Sequence, residues 1–242
     1  MPLLEVTDAS KSFGGLRAVN GVSFTVARGE VLGIMGPNGS GKSTLLNLIA
    51  GALRPDRGRI RLDGRDIAGR SAHEVCGEGI ARTFQLVRPF MGLSVEDNVL
   101  VGHYYGRRHR RHASPRVASA DLLERVGLGG KAHLLPGQLT AMDRKRVELA
   151  RALAASPRLL LLDEFLAGLT PAETEGAMDL IRALQREGLT LIMVEHIVWA
   201  LFDLSQRVLV LSAGEKIADG TPADVAADAT VIDVYLGTSE IA

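Results

Sequence analysis

The strongest indication of the fold is the segment Gly36-Pro-Asn-Gly-Ser-Gly-Lys-Ser-Thr44. It follows the apolar run Val31–Met35 and precedes Leu45–Ala50, so the order is strand, glycine-rich loop and helix. Glycines let the loop bend until successive backbone N–H groups point at one phosphate, and the helix directs its positive end at the same anion. Lys42 can then reach the β- and γ-phosphates, and the Ser43 hydroxyl can bind Mg²⁺. This order favours a nucleoside triphosphate site over a plain glycine turn. The residues assigned to it are Gly36, Pro37, Asn38, Gly39, Ser40, Gly41, Lys42, Ser43 and Thr44.

The composition narrows the class of protein. A chain of 242 residues can bury a substantial core as one domain with a lobe. Because 28 Lys and Arg balance 28 Asp and Glu, nucleic acid is not expected as the main partner. The single cysteine, Cys76, excludes an internal disulfide, fits a reducing cytosol and is interpreted as a buried, inert thiol. Neither a secretory leader nor a membrane-spanning stretch is indicated, so we expect a soluble protein or one held at a membrane by partners.

Strands and helices alternate along much of the chain. This alternation predicts an α/β fold with a mainly parallel sheet and helical crossovers, and the early strands look antiparallel, which makes the predicted central sheet mixed. The predicted strands are Leu3–Thr7, Val22–Val26, Glu30–Met35, Arg59–Leu62, Ile80–Phe84, Arg158–Leu162, Leu189–Val194 and Val208–Leu211. The predicted helices are Lys42–Ala50, Met142–Ala155 and Pro171–Glu187.

The region Leu86–Lys145 differs from the rest, because its pattern is helical and it carries most of the irregular sequence. Ser94-Val-Glu-Asp97 is typical of a helix start. The basic run Arg107–His112 could contact phosphate or lipid headgroups, but a solvated loop is the favoured interpretation because no aromatic residues accompany it. Its histidines lack the spacing of a metal site.

Two acidic residues follow a leucine run. Leu159–Leu162 predicts a strand buried on both faces, and its end delivers Asp163 and Glu164 to the sheet edge that also carries the phosphate loop. Asp163 is placed to hold Mg²⁺ through water, and Glu164 to polarise an attacking water. The alternative is a hydrophobic strand that ends in surface acids.

The order of three further residues along the chain makes them candidates for the nucleotide site. His196 follows the strand Leu191–Val194 and Glu195, where an imidazole can contact a γ-phosphate and the attacking water. Gln85, after Ile80–Phe84, can ligate Mg²⁺ and water at a hinge into the helical region. Phe13 offers a stacking surface for a base, although core packing explains an aromatic at this position nearly as well.

Together these residues resemble the ATP-binding subunit of an ATP-binding-cassette (ABC) transporter over essentially the whole chain. Gly36–Thr44 matches the Walker A motif, Leu159–Asp163 with Glu164 matches Walker B, Gln85 matches the Q-loop, and His196 matches the switch histidine. Phe13 stands at the position of the adenine-stacking aromatic. The phrases that look most like the branched-chain amino-acid and amide uptake group are Lys11–Val19, Ala81–Gln85, Val194–His196 and Val234–Gly237.

The chain departs from the family pattern in two places. The signature slot, usually LSGGQ, holds Leu139, Thr140, Ala141, Met142 and Asp143. A Cβ at Ala141 and at Met142 restricts close approach of the backbone to a γ-phosphate, and Asp143 adds a negative charge. In the second place, Ala167–Thr170 lacks the aspartate that ends the family's D-loop, and Phe165 stands where proline is common.

The resemblance implies an ATP-driven clamp. Two subunits close on two Mg·ATP, and each ATP is held by one chain's Walker motifs and the other chain's signature, so the altered signature here serves the partner's site. The implied partners are permease subunits, contacted around Leu86–Leu93, a second and different ATPase subunit, and indirectly a soluble substrate-binding protein. The implied location is peripheral, at the cytoplasmic face of the inner membrane.

The resemblance also implies a division of the chain. Residues 1–84 and 146–220 would form the ATP-binding core with an antiparallel β subdomain, residues 85–145 a helical subdomain with the signature, and residues 221–242 a C-terminal tail. Two other functions stay open. One is ATPase of a lipopolysaccharide export system, and the other is a non-transport cassette protein acting on DNA or ribosomes.

Overall fold

The computed structural model describes residues 1–83, 88–107 and 114–236. Its strands form two sheets. A four-stranded antiparallel sheet has the order β2-β1-β4-β5, and a six-stranded sheet has the order β10-β9-β3-β8-β7-β6. The strands are β1 Leu4–Phe13, β2 Leu16–Val26, β3 Val31–Met35, β4 Arg57–Leu62, β5 Arg65–Asp66, β6 Ile80–Arg82, β7 Leu159–Asp163, β8 Thr190–Val194, β9 Arg207–Ser212 and β10 Glu215–Gly220.

Helices cover the larger sheet and fill the region between β6 and β7. They are α1 Lys42–Ile49, α2 Ala72–Glu78, α3 Val95–Tyr105, α4 Pro115–Arg125, α5 Ala141–Ala154, α6 Pro171–Arg186, α7 Val198–Leu204, α8 Pro222–Ala227 and α9 Ala229–Leu236. No helix in the described ranges is long and apolar enough to cross a membrane.

The parallel centre of the larger sheet follows from its sequence. Every residue of β3, β7 and β8 is buried, because helices cover both faces of this part of the sheet. The prediction of a mixed central sheet is confirmed, but the strand that makes it mixed is not one of the early strands. The early strands β1, β2 and β4 pair with one another in a separate sheet, and the antiparallel member of the larger sheet is β10, which pairs with β9.

Two helix starts show how local sequence sets the boundaries. The Ser94 hydroxyl accepts the backbone N–H of Asp97 at 3.1 Å, which confirms the helix predicted there. The Thr170 hydroxyl caps α6, and Pro171 occupies its first turn as predicted.

The prediction that Cys76 is buried needs a correction, because its side chain is half-buried in the structure. This partial burial raises the pKa of its thiol.

The core consists of three apolar clusters, one between the antiparallel sheet, α1 and the larger sheet, one on the opposite face of the larger sheet, and one among α3, α4 and α5. Helix α5 belongs to two of them. Its residues Met142 and Leu149 pack against the sheet, whereas Val147 and Ala150 pack into the helical cluster. Helix α5 therefore connects the helical cluster to the larger sheet.

Candidate functional site

Three neighbouring strands end at the same edge of the larger sheet. Strand β8 lies between β3 and β7, and Val194 at its end pairs with Ile34 of β3 and with Asp163 of β7. Because all three strands are parallel, the loops that follow them are adjacent. The glycine-rich loop, the acidic pair after β7 and His196 after β8 thus meet at this edge.

The glycine-rich loop is closely packed against neighbouring backbone. Gly36 has φ 151° and Gly41 has φ 102°, a region that favours glycine. A Cβ at Gly36 would overlap the carbonyl oxygen of Leu211, and one at Gly41 would overlap that of Ala18. These two glycines are required for both conformation and space.

The Lys42 ammonium is held inside the loop. Its Nζ donates to the carbonyl oxygens of Gly36 and Pro37, each at 2.8 Å. Burial lowers the pKa of Lys42, and the carboxylates of Glu164 and Asp163 oppose that effect. The lysine therefore lies where a phosphate would replace the two carbonyls as its partner.

Glu164 and His196 are brought into direct contact. The His196 Nε2 lies 2.9 Å from the Glu164 Oε1, as a pair that follows two adjacent strands. Glu164 adopts a left-handed backbone, φ 51°, which is strained for a residue with a side chain and persists only where the surroundings hold it. Both residues line a cleft of about 410 Å³ with the glycine-rich loop and Phe13.

Phe13 lies at the rim of this cleft. Its side chain is 46% exposed, so core packing does not account for it. The Lys11 Nζ lies 5.7 Å from the centre of its ring. The ring is therefore available as a flat apolar surface beside the loop.

The donor set suits a divalent cation. Asp163 is 4% exposed, and its Oδ1 makes no hydrogen bond to any residue that the structure describes. Its Oδ2 pairs with the Arg82 guanidinium at 2.6 Å. A buried carboxylate oxygen that lacks a hydrogen bond within the described part of the chain is the kind of ligand that Mg²⁺ prefers, and the exposed Ser43 hydroxyl of the glycine-rich loop offers a second oxygen. Gln85 lies outside the described residues, as do residues 108–112 of the basic run.

The altered signature segment forms the start of α5. Leu139 and Met142 are buried, whereas Thr140 and Ala141 are exposed. The Thr140 hydroxyl accepts the Asp143 N–H at 3.1 Å and caps the helix. Burial of the Asp143 carboxyl opposes its ionisation, but contacts with Lys131, at 2.6 Å, and with Thr140 outweigh burial and hold the pKa of Asp143 below its usual range. The negative charge that Asp143 adds to the signature segment is therefore paired with the Lys131 ammonium.

Three residues near the site were not found from the sequence as site residues. Arg82 pairs with Asp163, and the Tyr235 hydroxyl of α9 forms a hydrogen bond with the backbone of Gly36. Glu195 is 2% exposed, and its Oε1 accepts the Leu166 N–H at 2.9 Å. The only sequence signal for Glu195 is an acid at the end of an apolar strand, which is unusual for a buried position.

We expect Glu195 to make the stability of the protein depend on pH. Burial raises its pKa from 4.5 to about 7, despite the nearby Lys145 ammonium; Glu164 adds to the rise. A raised pKa in the folded state means that the stabilisation is complete below pH 4.5 and is lost as the pH rises through about 7. The free energy of unfolding falls by on the order of 3 kcal/mol at most over this pH range.

This effect is measured by urea unfolding between pH 5 and pH 8. Glu195→Gln should match the wild type at pH 5 and exceed its unfolding free energy at pH 8, while the exposed Glu175→Gln follows the wild type throughout. An identical pH dependence in the wild type and in Glu195→Gln would contradict the raised pKa.

Comparison with known families gives two matches. Residues 19–167 match the family described as "ABC transporter". Residues 215–241 match the family described as "Branched-chain amino acid ATP-binding cassette transporter".

Individual proteins agree with these matches. The chain is 37% identical to the high-affinity branched-chain amino acid transport ATP-binding protein BraF of Pseudomonas aeruginosa, with 98% of both chains covered. It is 35% identical to the lipopolysaccharide export system ATP-binding protein LptB of Haemophilus influenzae, again with 98% of both covered. Its structure resembles that of a nucleotide-free ATP-binding cassette from an ABC transporter, with a TM-score of 0.88 and 30% identity over 97% of this chain and 99% of the other.

Proposed function

Because this chain belongs to the ATP-binding subunits of ABC transporters, we propose that it powers the uptake of branched-chain amino acids or related small molecules. The chain binds ATP and couples its hydrolysis to transport. The single observation that carries the substrate class is the match of residues 215–241 to the branched-chain group. The likeness to BraF over almost the full chain supports the same class.

The residues at the sheet edge have distinct roles in the proposed hydrolysis. Lys42 exchanges its two carbonyl partners for the β- and γ-phosphates and neutralises developing charge. Glu164 orients and deprotonates the attacking water, and His196, at 2.9 Å from it, holds that carboxylate and contacts the γ-phosphate. Catalysis is then mainly positioning and neutralisation of charge.

The proposed Mg²⁺ ligands are the Ser43 hydroxyl, the Gln85 amide and, through water, Asp163. A bound Mg²⁺ would supply charge neutralisation across the β- and γ-phosphates. Arg82 binds Oδ2 of Asp163, and Oδ1 makes no hydrogen bond within the described residues, so it remains available for this purpose. The exposed ring of Phe13, beside the loop, is the proposed surface for adenine.

The signature segment is proposed to serve the ATP site of a second subunit, in a heterodimer of two different ATPases. The Lys131 pair neutralises Asp143, so the segment does not repel that nucleotide. The exposed Thr140 keeps its hydroxyl hydrogen as a donor while its oxygen caps α5. The family usually has glycines at the positions of Ala141 and Met142. Because a Cβ at each position restricts approach of the backbone to a γ-phosphate, we expect slower hydrolysis at the partner's site.

The proposed permease contact is the segment around Leu86–Leu93. Three of its described side chains, Phe90, Met91 and Leu93, are apolar and exposed, which suits a protein contact. This contact places the chain peripherally at the cytoplasmic face of the inner membrane, where a soluble binding protein acts only indirectly.

The proposed division of the chain assigns residues 1–84 and 146–220 to the ATP-binding core, 85–145 to the helical subdomain and 221–242 to the tail. The separate apolar cluster among α3, α4 and α5 supports a helical unit. Because α5 packs into two clusters, the boundary between residues 145 and 146 runs through a helix shared by both units.

The test is affinity purification of the full chain from detergent-solubilised membranes, with identification of every co-purifying protein. We expect two different multi-span proteins and a second ATPase. The reassembled complex should take up a branched-chain amino acid in proteoliposomes only with ATP and the soluble binding protein. A matched preparation carrying Lys42→Ala is the control for ATP dependence.

Two outcomes would contradict the proposal. Export-type permeases with a homodimeric ATPase would favour lipopolysaccharide export, which the likeness to LptB keeps as the second candidate. Recovery without any membrane protein would favour a non-transport role and leave the ATP site unaffected.

A further inference from the structure

Two ionisable side chains, the half-buried Lys145 and the buried Glu195, hold the backbone that follows β7. The Lys145 Nζ donates to the carbonyl oxygen of Phe165 at 2.7 Å and to that of Glu164 at 3.3 Å. From the other side, the Glu195 Oε1 accepts the N–H of Leu166 at 2.9 Å. One side chain thus binds carbonyl groups and the other binds an amide group of the same three-residue segment, residues 164–166.

This segment needs such support. Glu164 has a left-handed backbone, and its own N–H is held by the carbonyl oxygen of Val194 at 2.8 Å. Strained conformations of this kind persist only where surrounding contacts hold them. Phe165 and Leu166 are also buried, at 3% and 0% exposure, and their side chains pack into one apolar cluster that further restrains the segment.

The electrostatics of the two side chains are complementary. Burial lowers the pKa of Lys145, and the carboxylates of Glu195, Glu148 and Glu164 oppose that effect. Glu195 is buried as well, and the Lys145 ammonium favours its charged form. Each ion therefore offsets part of the desolvation cost of the other.

The pair joins three parts of the site. Lys145 lies on α5, the helix that begins at the signature segment and packs into two of the three apolar clusters. Glu195 directly precedes His196, the partner of Glu164. A shift of α5 would therefore move the carbonyl oxygens of Glu164 and Phe165.

We propose that Lys145 and Glu195 are positioning residues that clamp residues 164–166, set the orientation of the Glu164 carboxylate and transmit movement of α5 to it. The inference rests on the catalytic role proposed above for Glu164. Neither residue is among those that line the cleft of the glycine-rich loop. The clamp acts through Glu164 alone.

The experiment uses the full chain in its purified transporter complex, with Lys145→Met and Glu195→Leu as the disruptive variants. We expect kcat for ATP hydrolysis to fall about 10- to 100-fold, the scale of a misplaced catalytic group. The Kd for ATP should stay within about twofold, because the contacts of the phosphate loop are unchanged. Lys145→Arg and Glu195→Gln keep a donor and an acceptor, and should recover most of the lost turnover.

Two controls separate positioning from general damage. Lys216→Met and Glu175→Gln change exposed residues outside the site and should leave kcat unchanged. In a Glu164→Gln background, Lys145→Met should lower the residual rate no further, because the group through which it acts is already lost.

Each result of these measurements either supports the proposed clamp or overturns it. Wild-type kcat in Lys145→Met, or an equal further loss in the Glu164→Gln background, would overturn the clamp. If Lys145→Met unfolds the chain, the same criteria apply to Glu195→Leu and to the milder Lys145→Arg and Glu195→Gln. Full turnover in Glu164→Gln alone would instead refute the proposed role of Glu164, so the two failures are distinguishable.

Discussion

Glu164→Gln is expected to lower the rate of ATP hydrolysis by about 10²- to 10⁴-fold, the usual contribution of a general base. The substitution keeps the size of the side chain but removes its basicity, and a glutamine amide at 2.9 Å from the His196 Nε2 cannot take a proton from water. ATP binding should persist, because the phosphate loop is unaltered. The variant should therefore accumulate as an ATP-bound closed dimer.

The measurement combines single-turnover hydrolysis with size-exclusion chromatography in the presence of Mg·ATP. Glu175→Gln, the same chemical change at an exposed position of α6, is the matched control. Turnover at the wild-type rate in Glu164→Gln would contradict the assignment of the base.

Lys42→Ala is expected to weaken ATP binding by about 100-fold or more, since a buried charge-assisted contact with phosphate is removed. Lys42 is only 6% exposed, so little water screens the attraction of its ammonium for the phosphates. Its loss also removes the hydrogen bonds to the carbonyl oxygens of Gly36 and Pro37, so the loop loses internal support in the nucleotide-free protein.

Isothermal titration calorimetry with ATP measures this directly, and thermal unfolding without nucleotide reports the loss of loop support. The control is Lys216→Ala, which removes an exposed lysine from β10. An unchanged equilibrium affinity for ATP in Lys42→Ala would refute the phosphate-loop assignment.

The local sequence pattern was sufficient to predict strands, helix starts and site residues wherever a few consecutive residues set both the backbone conformation and the chemistry. The run Val31–Met35 before the glycine-rich loop predicts a buried strand, and the structure confirms it as β3. Ser94 and Pro171 mark helix starts for reasons that act within one turn. Glu164 and His196 could be placed at one sheet edge because both follow buried parallel strands, whose carboxyl ends meet.

Contacts between distant segments could not be predicted in this way. Whether β1, β2 and β4 join the central sheet or form their own depends on pairing partners far along the chain. The charge of Asp143 is neutralised by Lys131, which lies on a separate turn before α5, and the signature pattern alone does not show that pairing.

The nucleotide-binding loop, the acidic strand end and the family could thus be predicted from the amino-acid sequence, because the hydrophobic periodicity and the phosphate-binding chemistry depend on a few neighbouring residues. The surroundings of Glu164 became known only from the folded chain. Lys145 and Glu195 are 50 residues apart in the chain, yet their side chains hold the same backbone segment. Tertiary contacts, not local pattern, set the partners of the half-buried Lys145 and the buried Glu195, since the free-energy cost of placing a charge there depends on groups that only folding brings near.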